Sequence, residues 1–125
     1  MSQYCAVELI DTLMRFKDDA YLQSGDRYSY YCFRVPDAWH GDILQEKVFA
    51  VAEKMYVEFN TTFRANEPND PNYLKVLKTQ AFPLTPEQVA TQVWRNAPVP
   101  SAWEWTPCVS VNADGTYQRV APSEF

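Results

Sequence analysis

Apolar positions along the chain change period from block to block. In residues 2–21, Ala6, Leu9, Ile10, Leu13, Phe16 and Ala20 recur at spacings of three and four. That is the period of an amphipathic helix. Ser2 stands where an N-cap is expected, so the spacing predicts a helix over 2–21. The apolar set is wide, because Cys5, Val7 and Met14 join it, and residues 4–10 read alone fit a buried strand. Ser24-Gly25-Asp26 predicts a stop and a turn. Residues 27–35 are aromatic and β-rich and predict a strand. Alternation puts Arg27, Ser29, Tyr31, Phe33 and Val35 on one face, and Tyr28, Tyr30, Cys32 and Arg34 on the other. Aromatics on both faces imply cover on both sides or a contact. Pro36 ends the strand because it has no N–H to donate.

Residues 42–59 carry the clearest helical pattern. Ile43, Leu44, Val48, Val51, Ala52, Met55 and Phe59 form its apolar stripe, opposite Glu46, Glu53 and Lys54. Asp42 is the expected N-cap, with Gln45 three residues on. The end is ambiguous, since 56–63 also alternates and a strand could begin near Thr61. Residues 65–72, rich in Asn, Asp and Pro, predict a loop. Asp70-Pro71 then suggests a short helix containing Tyr73, Leu74, Val76 and Leu77. Thr85-Pro86-Glu87-Gln88 has the form of a capping box opening a helix to about Asn96. Residues 97–100 read as stiff and extended. Strands are expected near 103–111 and 116–120, joined around Asn112-Ala113-Asp114-Gly115. Pro107 marks the first as an edge strand or a bulge.

The resulting order is α–β–α–(loop or β)–α–α–β–β. It predicts an α+β fold: one compact two-layer domain over residues 1–125, with helices on a small, mainly antiparallel sheet and a C-terminal hairpin.

Length and composition agree with one such core. The chain has 125 residues, 46% of them hydrophobic, too few for two ordinary domains. Acids outnumber bases 16 to 11, a formal charge of -5. Ten of those acids, against six bases, lie in residues 1–60. An acidic surface repels phosphate, which disfavours nucleic acid and favours a basic protein partner. Only 3 glycines are present, which argues against phosphate-cradling loops. Cys5, Cys32 and Cys108 are odd in number and widely spaced, and are expected to be thiols. No signal-peptide pattern or bilayer-length apolar run appears, so a cytoplasmic protein with no membrane association is expected.

Catalytic chemistry is sparse. His40 is the sole histidine. A nucleophilic site can be drawn from Cys32, His40 and either Asp37 or Asp42, but it would need a depressed thiol pKa and an oriented imidazole. A core cysteine and a loop histidine are the simpler reading. Three thiols and one imidazole lack zinc-module spacing. Asp18 and Asp19, adjacent on a helix, would face apart and merely solubilise it. No dinucleotide, Walker, zincin, nucleophile-elbow or EF-hand motif occurs, so no metal or cofactor is expected. The remaining signal is aromatic. Trp103 and Trp105 among prolines, and the Tyr28 and Tyr30 face, suit a protein contact, although a small domain also buries such side chains as core.

Three functions follow. The first is a small acidic cytoplasmic protein-binding domain, acting as an inhibitor, regulator or adaptor and using Trp103, Trp105, Tyr28 and Tyr30. A regulator encoded by a phage or mobile element fits that description. The second is a structural subunit assembling with copies of itself. The third is a cysteine-dependent enzyme built on Cys32 and His40.

Overall fold

The computed structural model describes residues 2–91 and 108–120. In chain order these form β1 (Ser2–Lys17), β2 (Ala20–Pro36), α1 (Gly41–Asn66), β3 (Tyr73–Leu84), α2 (Pro86–Thr91), β4 (Cys108–Val111) and β5 (Tyr117–Val120). The strands make one sheet in the order β3-β1-β2-β4-β5. Neighbours are antiparallel except β2 and β4, which run parallel. A mixed sheet with one main helix on one face is an α+β arrangement.

The first segment is a strand and not the helix its spacing suggests. β1 lies between β3 and β2 and is apolar on both sides. Cys5, Val7 and Leu9 join the main core, while Ala6 packs on the opposite face with Cys32 and Cys108. A strand lined on both faces reads as a nearly continuous apolar run, and such a run contains helical spacings by accident. The acids expected to solubilise a helix make the hairpin turn instead. Asp18 and Asp19 both have positive φ, 53° and 62°. This is the two-residue geometry whose twist matches the flanking strands.

Ser24-Gly25-Asp26, the expected turn, lies inside β2. The pairing steps from Thr12↔Asp26 to Leu13↔Ser24, leaving Gly25 as an extra residue. Gly25 has φ +73°, and Thr12 Oγ1 donates a hydrogen bond to its carbonyl. A glycine in the left-handed region absorbs such a bulge without Cβ strain. One extra residue also swaps the face of every side chain beyond it. Tyr21 therefore shares a face with Tyr28 and Tyr30, because their β1 partners are Phe16, Ile10 and Glu8, all of one parity.

A second bulge hides β3 in the same way. Pairing with β1 steps from Ile10↔Lys78 to Asp11↔Val76, passing over Leu77. Two adjacent apolar residues, Val76 and Leu77, break the alternation and imitate a helix. The short helix expected there is thus a strand whose period is interrupted once.

α1 follows the pattern that predicts it and runs past residue 59 to Asn66. Leu44, Val48, Val51, Ala52, Met55 and Tyr56 are buried. They meet Cys5, Val7, Leu9, Tyr31, Phe33, Val35, Val76 and Val109 from the sheet. Glu46, Glu53 and Lys54 are exposed. Two details differ from expectation. Ile43 is exposed. The N-cap is His40, with no side-chain cap bond, and Asp42 sits in the first turn, where its charge suits the helix dipole. The entry is pinned from elsewhere: Gln3 Nε2 donates to the carbonyls of Pro36 and Trp39 at 3.2 and 2.6 Å. The capping box forms at α2, where Thr85 N–H donates to Gln88 Oε1 (2.8 Å) and Gln88 N–H to Thr85 Oγ1 (3.1 Å).

β3 has an outer edge, and α1 seals it. The Gln45 amide donates to Ala81 O and accepts from Ala81 N–H, both at 2.9 Å. The Asn60 amide does the same for Leu74, at 2.8 and 2.9 Å. The spacings match. Residues 45 and 60 are separated by about 22 Å of helix, and residues 74 and 81 by about 23 Å of strand. Each amide thus imitates one rung of a missing strand. Gln45→Ala and Asn60→Ala should each cost about 1–3 kcal/mol, since each leaves a backbone donor and acceptor unmet beneath the helix. Urea unfolding checks this: a lower midpoint at unchanged slope is expected, and two unchanged midpoints would mean water serves the edge equally well.

Candidate functional site

The two bulges bracket the polar contact made by Asp11, which with Thr12 is fully buried. Asp11 is on the α1 side of β1, and its side chain is 1% exposed. Arg27 grips it with both ends of the guanidinium, Nε to Oδ1 at 2.8 Å and Nη2 to Oδ2 at 3.1 Å. The Tyr56 hydroxyl, arriving from α1, donates to Oδ2. Burial first, and then the hydrogen bond to Asp11, raise the Tyr56 pKa well above an ordinary phenol. Tyr56 therefore stays a neutral donor. Arg27 is 60% exposed, so the carboxylate is buried while its cation remains hydrated. Both carboxylate oxygens are occupied and shielded, so this cluster suits bracing far better than reaction chemistry. It ties β1, β2 and α1 together where the strands bulge.

Beyond that brace the hairpin is open. Every residue of β2 from Ala20 to Tyr28 is exposed. On the sheet face opposite α1, Tyr28 is 59% exposed, Phe16 44%, Tyr21 42% and Phe82 46%. Phe16 and Tyr21 rings lie 5.2 Å apart, and Tyr21 and Tyr73 rings 5.0 Å apart, edge to face. Tyr21 Oη also donates to Pro71 O at 2.9 Å. These contacts hold the rings in place while leaving them in water. The outer edge of β2 is sparsely paired among the described residues. β4 pairs with it only at Cys32, Phe33 and Arg34. Among the described residues, 20–29 have no strand neighbour on that side.

The candidate residues fall out as follows. Tyr28 and Tyr30 share the exposed aromatic face, with Tyr28 outermost and Tyr30 half-buried. Trp103, Trp105 and Pro107 lie outside the described residues. Cys32 and His40 are not brought together as a catalytic pair. Cys32 is buried on the face away from α1, against Ala6 and Cys108, whereas His40 is exposed at the start of α1. Period two alone separates them, since β2 sends Tyr31, Phe33 and Val35 toward the helix and Cys32 away. Cys5, Cys32 and Cys108 are all thiols. Burial pushes the Cys5 thiol up to about 11, the opposite of an activated nucleophile. Among the described residues, no group of three His, Cys, Asp or Glu could hold a metal ion, and no helix is long and apolar enough to cross a membrane.

Sequence reasoning missed Asp11, Phe16 and Tyr21 as site residues. Asp11 had a signal: it is a lone carboxylate inside an apolar run, which must find a partner if buried. Phe16 and Tyr21 had none, because both fell within the expected helix. The charge around the aromatic face is balanced, with Glu8 and Asp26 set against Lys75 and Lys78 on the same side of the sheet by register.

Comparison with protein families, with curated proteins and with solved structures finds no match for this chain.

Proposed function

We propose that this chain is a small protein-binding module, an inhibitor, regulator or adaptor, that docks through β2. The observation that carries the reading is the contrast between the two long strand edges. Side-chain amides of α1 cap the edge of β3 at Leu74 and Ala81, while no strand pairs with residues 20–29 of β2 on the outer side among the described residues. Folds blunt long edges unless a partner uses them. A strand added there would gain backbone hydrogen bonds, and Phe16, Tyr21 and Tyr28 would supply aromatic anchors beside it. The overall charge of -5 favours a basic partner at long range. The balanced charge around the rings leaves close-range selection to shape and apolar area.

Tyr28→Ala tests this. Tyr28 is mostly solvated, so its loss should leave Tm unchanged. A partner captured by the tagged wild-type chain should bind the variant at least about 2 kcal/mol more weakly, roughly thirty-fold, as expected for an interface aromatic. Equal binding by Tyr28→Ala and Phe16→Ala chains would sink the proposal. The same open edge favours one second reading, a subunit that pairs with its own copy. Light scattering over a concentration series separates the two, because self-pairing raises the mass with concentration and Tyr28→Ala then abolishes the rise.

A further inference from the structure

We propose that Cys32 and Cys108 form a redox pair that can lock the C-terminal hairpin to the sheet. The two residues are far apart in sequence but are directly opposed across the parallel β2–β4 pairing. Their side chains fall on the same face and pack in one cluster with Ala6. Neighbouring strands lie about 4.8 Å apart, and a disulfide spans Cα separations of about 4.4–6.8 Å. The strands therefore already hold this pair within bridging range. Cys5 is excluded by topology, since it packs in the core on the α1 side.

The place of the pair gives a bridge its consequence. β4 and β5 are four residues each. Among the described residues they join the sheet through the 32–34 register, supplemented by Arg34 Nε and Nη2 donating to Ser110 Oγ at 3.1 and 3.0 Å. Among the described residues this is the shortest register in the sheet, and a covalent tie there would fix it. Both thiols are buried, so an oxidant reaches them when β4 lifts from β2.

The oxidant is a small disulfide. One cysteine thiolate attacks it, forming a mixed disulfide and releasing one small thiol. The second cysteine sulfur then attacks the mixed disulfide, forming the Cys32–Cys108 bond and releasing the second small thiol. The two protein protons end on the released thiols, the protein loses two electrons, and the small disulfide gains them.

The test treats the full chain with oxidised glutathione, alkylates without reduction, and maps peptides by mass spectrometry. The expected product joins the peptides containing Cys32 and Cys108, leaves Cys5 alkylated, and reverts with dithiothreitol. It should form faster in urea below the unfolding transition and raise Tm by at least about 5 °C. Cys5→Ser should bridge normally and Cys108→Ser should not. Separate alkylation of Cys32 and Cys108 after oxidation in subdenaturing urea would overturn the proposal. So would glutathione adducts without a bridge, or a bridge that includes Cys5.

Discussion

Asp11→Ala is expected to lower the unfolding free energy by about 3 kcal/mol, more than its status as one ion pair would suggest. The cost does not come mainly from Arg27, whose exposed side chain can turn to water once its partner is gone. It comes from the other side of the contact. The Tyr56 ring is buried, and its hydroxyl would lose its acceptor inside the core. A small cavity between β1 and α1 adds to this. Tyr56→Phe, which removes the donor and leaves the carboxylate with its guanidinium, should cost only about 1 kcal/mol. Hydrogen exchange gives a sharper readout: amides of residues 13–24, beyond the brace, should lose more protection than those of α1. Uniform loss across the chain would show that Asp11 does not brace the hairpin. The Tyr56 contact also sets an alkaline limit. Its folded pKa is raised, so its contribution is fully present below the unfolded value of about 10 and is lost as pH rises through the higher folded value. Tyr56→Phe should therefore blunt the fall in stability above about pH 10.

Val51→Asp should be more damaging still. Val51 is 1% exposed, on the α1 face that meets the sheet. A carboxylate there would have no cation beside it and would displace a well-packed side chain. A cost above about 4 kcal/mol is expected, a large part of the 5–15 kcal/mol typical of a domain. Circular dichroism should show Tm falling by at least about 15 °C, or no cooperative transition at all. Glu53→Gln, two residues away on the solvent side, should leave the midpoint where it is. Equal melting of Val51→Asp and the wild type would mean that α1 packs on another face.

The two experiments probe parts of the molecule that differ in how readily the sequence reveals them. α1 was legible because one face is buried and the other wet, so its stripe carries the helical period without interference. β1 was not, because a central strand with apolar cover on both faces loses the alternation that identifies strands. β3 was hidden by the Leu77 bulge, which inserts one residue into a period of two. The capping box at Thr85 and the Asn112–Gly115 hairpin were legible for a different reason: both are local chemistry, closed within four or five residues. The Tyr28 and Tyr30 face was correctly separated from Tyr31 and Phe33 by alternation within β2. Its extension to Tyr21 and Phe16 depends on the Gly25 bulge and on the turn at Asp18 and Asp19.

By itself, then, the sequence determined the mixed α and β content, the buried face of α1, the inward and outward sides of residues 27–35, the capping box at Thr85 and the turn at Asn112–Gly115. Each of these depends on spacing or on bonds between residues close in the chain. Tertiary structure alone decided the strand order, the covering of β3 by Gln45 and Asn60, the meeting of Asp11 with Arg27 and Tyr56, and the opposition of Cys32 to Cys108. It also separated Cys32 from His40 and left residues 20–29 of β2 without an outer strand neighbour among the described residues. These facts join residues distant in sequence, and the register that sets them is fixed by bulges and packing whose energies exist only once the sheet has formed.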